Sequence, residues 1–145
     1  MINFKNWIEN EQPLKSVKEI ESLRPTMISK AQDIYDNWEQ DDQGHDEEYG
    51  GGGICHNIAD EIASVLNDHG IDAGTVSAQS GTQHVYTIGK FQEGVYEIDI
   101  HPSTYEIGAA YTWKKIPNVK FENKDIVISR IDSDPESFDT YMEDF

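Results

Sequence analysis

Apolar residues recur every three or four positions near the start of the chain, which is the spacing of an amphipathic helix. The main run begins at Pro25, which suits a first helical turn because proline has no backbone N–H to leave unpaired. A shorter helix is predicted before it, through Val17, Ile20 and Leu23. The apolar positions of the main run are Met27, Ile28, Ala31, Ile34, Tyr35 and Trp38. Both helices need a partner surface that covers these stripes.

A second helical stripe predicts a helix over residues 54–68. Its apolar positions are Ile54, Ile58, Ile62, Val65 and Leu66, with Ala59 and Ala63 beside them. Gly70 stands where a left-handed residue would end this helix. Between the two helical regions, residues 41–53 (DDQGHDEEYGGGG) are acidic and then glycine-rich, which predicts a loop.

Beyond Gly70 the pattern changes to the alternation and β-branched residues that are typical of strands. Strands are predicted at 75–78, in HVYTIGKF (84–91), in GVYEIDI (94–100), in AAYTWKKI (109–116) and over 126–131. Helices followed by strands indicate an α+β fold, with the helices against one face of a mostly antiparallel sheet of about five strands.

The chain of 145 residues fits a single domain over 1–145. Its predicted parts are a helical region (1–40), the acidic and glycine-rich loop (41–53), a core of helix plus sheet (54–131) and an acidic tail (132–145). The tail is expected to be partly disordered or draped over the surface.

The charge narrows the range of partners. The sequence has 28 Asp and Glu against 11 Lys and Arg, which gives a net charge of −17. Such a surface repels nucleic-acid phosphates and anionic membranes, so neither is expected as a direct partner. A basic protein that binds the acidic surface remains compatible with it. No stretch approaches the ~20 apolar residues of a membrane span, and the N-terminus lacks the pattern of a signal peptide.

Cys55 is the only cysteine, so it has no partner for an internal disulfide. A lone cysteine without export features predicts a reducing, cytoplasmic setting. Cys55 follows the glycines 50–53 and opens the predicted helix at 54–68, where backbone N–H groups and the helix dipole favour a thiolate. The glycines permit close approach to the sulfur. Cys55 is therefore a candidate nucleophile.

A hairpin supplies a candidate base. The turn FQEG at 91–94 predicts that Lys90 pairs with Val95. In that register His84 and Asp99 are diagonal neighbours on one face of the sheet, within reach of each other. A one-residue slip would send the two side chains to opposite faces.

The stretches GGGGICHNIADEIASVL, HVYTIG and VYEIDI together resemble a minimal papain-like or transglutaminase-like core. In those families a cysteine opens the central helix, a histidine starts a strand, and an Asn or Asp lies on the next strand. The resemblance implies a papain-like fold with Cys55 as nucleophile, His84 as base and Asp99 as the residue that orients the base. Papain-type enzymes also place an oxyanion-hole glutamine shortly before the cysteine, and here the nearest upstream glutamine is Gln43.

Further residues are candidates for supporting roles. Gln43 and His101 are candidates for the oxyanion hole or for support of the triad, and His101 also competes with His84 as base because it shares the face of Asp99. Gly53, Tyr105 and Trp113 are candidates for the wall of a substrate groove. The main interpretation of the two aromatic residues is core and sheet packing, and the groove is the alternative.

Metal binding is the next alternative. His56 and Asp60 have the i, i+4 spacing of a ligand pair, and residues 41–48 are rich in carboxylates. No HExxH, paired-cysteine or EF-hand pattern accompanies them. We therefore predict no metal and no cofactor.

The predicted function is a small cysteine-dependent hydrolase or acyltransferase of the protease, amidase or glutamine deamidase type, acting on a peptide or protein amide. The alternative is a non-catalytic acidic interaction protein that binds a basic partner or imitates nucleic acid. A third possibility is a papain-like fold that has lost catalysis. For Cys55 alone, the alternative is an ordinary small residue buried in the core.

Overall fold

The computed structural model describes residues 13–38, 54–77, 84–107 and 114–143. Three α-helices lie in these ranges: α1 (Ile20–Asp36), α2 (Ile54–Asp68) and α3 (Phe138–Glu143). The strands are β1 (Ala73–Ser77), β2 (Val85–Phe91), β3 (Gly94–Ile100), β4 (Glu106–Ile107), β5 (Lys114–Lys115) and β6 (Ile126–Asp132). The predicted loop at 41–53 lies outside the described residues.

Helix α1 is continuous where the sequence predicted two helices. A 3₁₀ turn over Val17–Glu19 leads directly into α1, and Pro25 lies inside the helix. The prediction that Pro25 begins a helix is therefore wrong. Pro25 is exposed, so water can satisfy the carbonyl that loses its helical partner. Leu23 and Met27 on either side are buried in the same core, which favours an unbroken helix.

Helix α2 has the predicted bounds and the predicted end. Gly70 has a φ of 78°, the left-handed conformation that glycine adopts without steric cost. The N–H of Ile71 donates to the carbonyl of Leu66, which satisfies one of the free carbonyls at the end of the helix.

Four strands form an antiparallel sheet in the order β1-β2-β3-β6. Strands β2 and β3 form the predicted hairpin, with Lys90 paired to Val95. The sequence predicted about five strands in the sheet, whereas the described residues form a sheet of four. In the candidate at 109–116 only Lys114–Lys115 is a described strand, and it pairs with β4 in a separate two-stranded ladder.

The main core lies between the two long helices and one face of the sheet. The side chains of Ile58 and Ile62 from α2 meet Phe91, Ile98 and Ile100 from the hairpin there. The described fold is therefore α+β, with helices packed on an antiparallel sheet. Among the described residues, no helix combines the length and the apolar character needed to cross a bilayer.

The acidic tail packs against the sheet through residue 143, which agrees with the second of the two predicted alternatives, a tail draped over the surface. Asp134 accepts a hydrogen bond from the N–H of Glu136 and caps a 3₁₀ turn that leads into α3. From α3, Phe138 packs against Val76, Ile88 and Val95 on the sheet face opposite the main core. Phe138 is therefore buried in a second apolar cluster, although the composition of the tail is acidic.

We predict that Phe138→Ala lowers the free energy of unfolding by about 3 kcal/mol, because it removes a buried aromatic ring from this cluster. Urea denaturation of the full chain measures the change. The control is Asp139→Ala, at the neighbouring exposed position of α3. Equal urea midpoints for the two variants would show that α3 does not hold this face of the sheet.

Candidate functional site

His84 and Asp99 are in direct contact. The Nε2 of His84 lies 2.8 Å from Oδ2 of Asp99. His84 precedes β2 by one residue, and Asp99 is the penultimate residue of β3, so the hairpin register brings the two together as predicted. Their side chains are 17% and 11% exposed, which leaves the pair little screened by water.

The imidazole of His84 is held in its charged form. Burial lowers its pKa, but the hydrogen bond to Asp99, hydrogen bonding with Cys55 and the charges of both groups together raise the pKa from 6.5 to about 10. At neutral pH the ring is therefore an imidazolium. Its other nitrogen, Nδ1, is buried and has no nitrogen or oxygen partner among the described residues.

Cys55 is the second residue of α2 and is only 2% exposed. Cys55 hydrogen-bonds with the imidazole of His84. This hydrogen bond and the charge of Cys55 both contribute to the raised pKa of the ring. The sequence placed Cys55, His84 and Asp99 in one group, and the folded chain brings them together around His84. Cys55 is thus buried against an ionisable partner, unlike a cysteine that only fills an apolar core.

Thr87 fixes the position of α2 relative to β2. Its hydroxyl donates a 2.7 Å hydrogen bond to the carbonyl of Ala59, one turn of helix after Cys55. Thr87 is fully buried, and within the described residues only Thr87 and Asp99 are buried polar residues. Asp99 contacts the imidazole of His84, and Thr87 hydrogen-bonds with the helix that carries Cys55. Such groups remain buried because each has a hydrogen-bond partner.

Two further groups lie around the histidine. The ring of Tyr86 stacks on that of His84 with 6.0 Å between centroids. Glu97 shares the sheet face of Asp99, and its pKa is raised, first by burial and then by the charge of Asp99, while the imidazoles of His84 and His101 lower it. The carboxylates of β3 thus form an acidic strip on which His84 is the buried cation.

The other histidines near the site have their own partners. His101 is exposed, and its Nδ1 lies 2.8 Å from the hydroxyl of Ser103, while its ring centroid is 6.3 Å from that of His84. Asp99 therefore pairs with His84, while His101 hydrogen-bonds with Ser103. Nε2 of His56 lies 2.9 Å from Oδ2 of Asp60, and both side chains are more than half exposed. Among the described residues, no group of three or more His, Cys, Asp or Glu is arranged to hold a metal ion.

The remaining sequence candidates have different outcomes. Gln43, Gly53 and Trp113 lie outside the described residues. Tyr105 is fully buried, and its ring packs edge-on against Phe121 in the main core. The expectation that Tyr105 walls a substrate groove is therefore wrong, and core packing explains it.

Sequence reasoning missed Thr87, Tyr86 and Glu97. The signal for Thr87 was available: in the predicted hairpin register it is a hydroxyl residue on the core face of β2, two positions from Gly89 and four from Phe91. A polar residue on such a face needs a partner within the core. Tyr86 and Glu97 follow from the same two-residue period as His84 and Asp99.

Comparisons of the chain with protein-family models, with curated proteins and with solved structures found no match. The resemblance to papain-like and transglutaminase-like cores thus stays a prediction from the sequence.

We predict that Thr87→Val, which keeps the shape but removes the hydroxyl, lowers the free energy of unfolding by about 1 kcal/mol. Because the hydrogen bond between Thr87 and Ala59 is lost, the hydrogen bond between Cys55 and His84 is expected to weaken. The pKa of His84 should therefore fall. NMR titration of the ring and urea denaturation measure the two effects. Thr87→Ser keeps the hydroxyl and should keep the wild-type pKa of His84. An unchanged pKa of His84 in Thr87→Val would show that the hydroxyl does not position Cys55.

The raised pKa of His84 predicts how stability depends on pH. A group whose pKa rises on folding stabilises the folded state while it is protonated. Its contribution is complete below the ordinary value of 6.5, declines as the pH rises towards about 10, and is lost above that. The unfolding free energy of wild type minus that of His84→Gln should therefore be largest near about pH 6 and should shrink steadily up to about pH 10. Urea denaturation across this range measures it, and a difference that is independent of pH would contradict the assignment of the charge.

Proposed function

We propose that this chain is a small cysteine-dependent hydrolase or acyltransferase of the papain-like or transglutaminase-like kind. Cys55 is the nucleophile, His84 the acid and base, and Asp99 the residue that orients the imidazole. The observation that carries the proposal is that one buried imidazole meets both other groups: Asp99 at 2.8 Å through Nε2, and Cys55 through the contact that raises the ring's pKa. A nucleophile, a base and an orienting group in this relation are what covalent catalysis needs.

The first chemical step is attack of the Cys55 thiolate on the carbonyl carbon of an amide or ester. A C–S bond forms and the carbonyl becomes a tetrahedral oxyanion. The backbone N–H of Cys55, at the start of α2, is a candidate donor to that oxyanion. When the oxyanion collapses, the bond to the leaving group breaks and the imidazolium of His84 gives its proton to the departing amine or alcohol. The product is a thioester on Cys55.

The second step returns the enzyme to its starting state. Neutral His84 removes a proton from water or from an acceptor amine, which attacks the thioester carbon. The C–S bond then breaks and the thiolate of Cys55 is restored beside the imidazolium. Water gives hydrolysis, which covers protease, amidase and glutamine deamidase activity, and an amine gives acyl transfer. A reducing cytoplasmic setting would keep Cys55 as a thiol.

A second candidate function is a non-catalytic acidic interaction protein. Two observations favour it: the net charge of −17, and the 2% exposure of Cys55, which a substrate carbonyl must reach. In that reading the contact of His84 with Asp99 serves stability, and a basic protein binds the acidic surface. The reactivity of Cys55 separates the two functions, because a stabilising contact requires no activated sulfur.

We predict that p-nitrophenyl acetate acylates Cys55 with a burst of p-nitrophenol, since Cys55 is the only cysteine and its neighbour is an imidazolium. Absorbance measures the burst, and peptide mass spectrometry locates the acetyl group. Cys55→Ala should abolish the burst, and His84→Gln should slow it by roughly 10²–10⁴-fold. Asp99→Asn should slow it less, and should move the alkaline limb of the pH profile to lower pH because the carboxylate no longer raises the pKa of His84.

The matched control is His101→Gln, which removes an exposed imidazole from the neighbouring strand. We expect it to keep the wild-type burst. A loss in His101→Gln with full activity in His84→Gln would transfer the role of base to His101. Acetylation of Cys55 at the same rate in native wild type and in His84→Gln would overturn the catalytic proposal, and salt-sensitive capture of a basic protein by Cys55→Ala would then favour the interaction reading.

A further inference from the structure

A cavity of about 480 Å³ lies between the last turn of α1 and the first two turns of α2. Two apolar side chains, two amides, two carboxylates and an indole line it: Ile34, Asn37, Trp38, Ile54, Asn57, Asp60 and Glu61. No lysine or arginine is among the described residues of this lining. The cavity therefore combines an apolar wall with negative charge and amide groups.

The position of this cavity links it to the nucleophile. Ile54, one of its walls, is the residue directly before Cys55, and Asn57 follows two residues after it. Adjacent Cα atoms are about 3.8 Å apart, so a group bound in the cavity lies beside the first turn of the helix that carries the sulfur. Cys55 itself is not among the residues that line the cavity. The cavity thus has the place of a subsite next to a reacting centre.

The lining fits a cationic side chain that has an aliphatic stem. Carboxylates of Asp60 and Glu61 would bind the charge, while Ile34 and Ile54 would contact the stem. An indole face attracts cations, so the ring of Trp38 would add to the binding of a positive charge in the cavity. Lys115, whose Nζ lies 5.7 Å from the ring centroid of Trp38, lines a different cavity with Tyr35 and Asp36.

We propose that this cavity is the specificity subsite of the enzyme and that it accepts a lysine- or arginine-like side chain of the amide substrate. This inference rests on the proposed function, because it places the side chain beside an acyl group at Cys55. Asp60 is paired with His56 at 2.9 Å when the cavity is empty of substrate. That pair is more than half exposed, so a substrate cation can replace the imidazole at small cost.

Two alkylating reagents of similar length test the proposal. Chloroacetyl-agmatine carries a guanidinium on a four-carbon chain, and chloroacetyl-6-methylheptylamine is its neutral counterpart of the same length and branching. Each alkylates Cys55 by displacement of chloride, with formation of a C–S bond. We expect the inhibition constant of the cationic reagent to be about tenfold lower than that of the neutral one, with similar maximal rates of alkylation. Concentration series followed by mass spectrometry give both quantities.

The variant Asp60→Asn/Glu61→Gln should bring the ratio of the two inhibition constants close to one. The net charge of −17 attracts any cation to the whole surface, so a control for charge is needed. Asp68→Asn/Asp72→Asn removes the same two charges beyond the cavity, near the other end of α2, and should keep the preference. If both variants lose the preference for the cationic reagent, the preference comes from the overall negative charge and not from the cavity.

The outcomes separate this inference from the proposed function. Rapid alkylation that depends on His84 but shows no preference for the cation would refute the subsite and leave the cysteine enzyme standing. If Cys55 proves unreactive, agmatine itself is titrated into Cys55→Ala and the Trp38 Nε1–H resonance, assigned with Trp38→Phe, is followed by NMR. A shift that Asp60→Asn/Glu61→Gln abolishes would support a cation site, and no shift at millimolar agmatine would overturn it.

Discussion

The contact between Asp99 and His84 is the interaction on which the rest of the site depends. Asp99 lies between Ile98 and Ile100, which face the main core, and its carboxylate is almost fully buried. A buried carboxylate is costly unless a charged or hydrogen-bonding group accompanies it. His84 supplies that group as an imidazolium, and the cost of burying the ring is outweighed by its contacts with Asp99 and Cys55. The three side chains therefore form one electrostatic unit.

Sequence patterns predicted this unit because it depends on local rules. A two-residue turn sets the register of the hairpin, and that register alone brings His84 beside Asp99. The apolar stripe and Gly70 fix the bounds of α2, so Cys55 falls in its first turn. Periods of two and of 3.6 residues are robust when one face is buried. No local rule gives the docking of α2 on β2, which depends on Thr87 and Ala59, residues separated by 28 positions in sequence.

The failures of prediction share one physical cause, which is tertiary burial that overrides composition and propensity. Pro25 stays within α1 because apolar residues on both sides of it pack into the same core. Helix α3, which the sequence did not predict in the acidic tail, forms because Phe138 packs into an apolar cluster on the other face of the sheet. Tyr105 likewise enters the core as an aromatic partner of Phe121 and does not face a groove. In each case the deciding partner is distant in sequence and leaves no periodic signal.

The acidity of the chain acts in two ways. A field of negative charge favours the imidazolium of His84, as the neighbouring carboxylate of Asp99 illustrates. The same field concentrates cations at the surface. The negative charge of the chain therefore acts both on the buried imidazolium of His84 and on cations outside the protein.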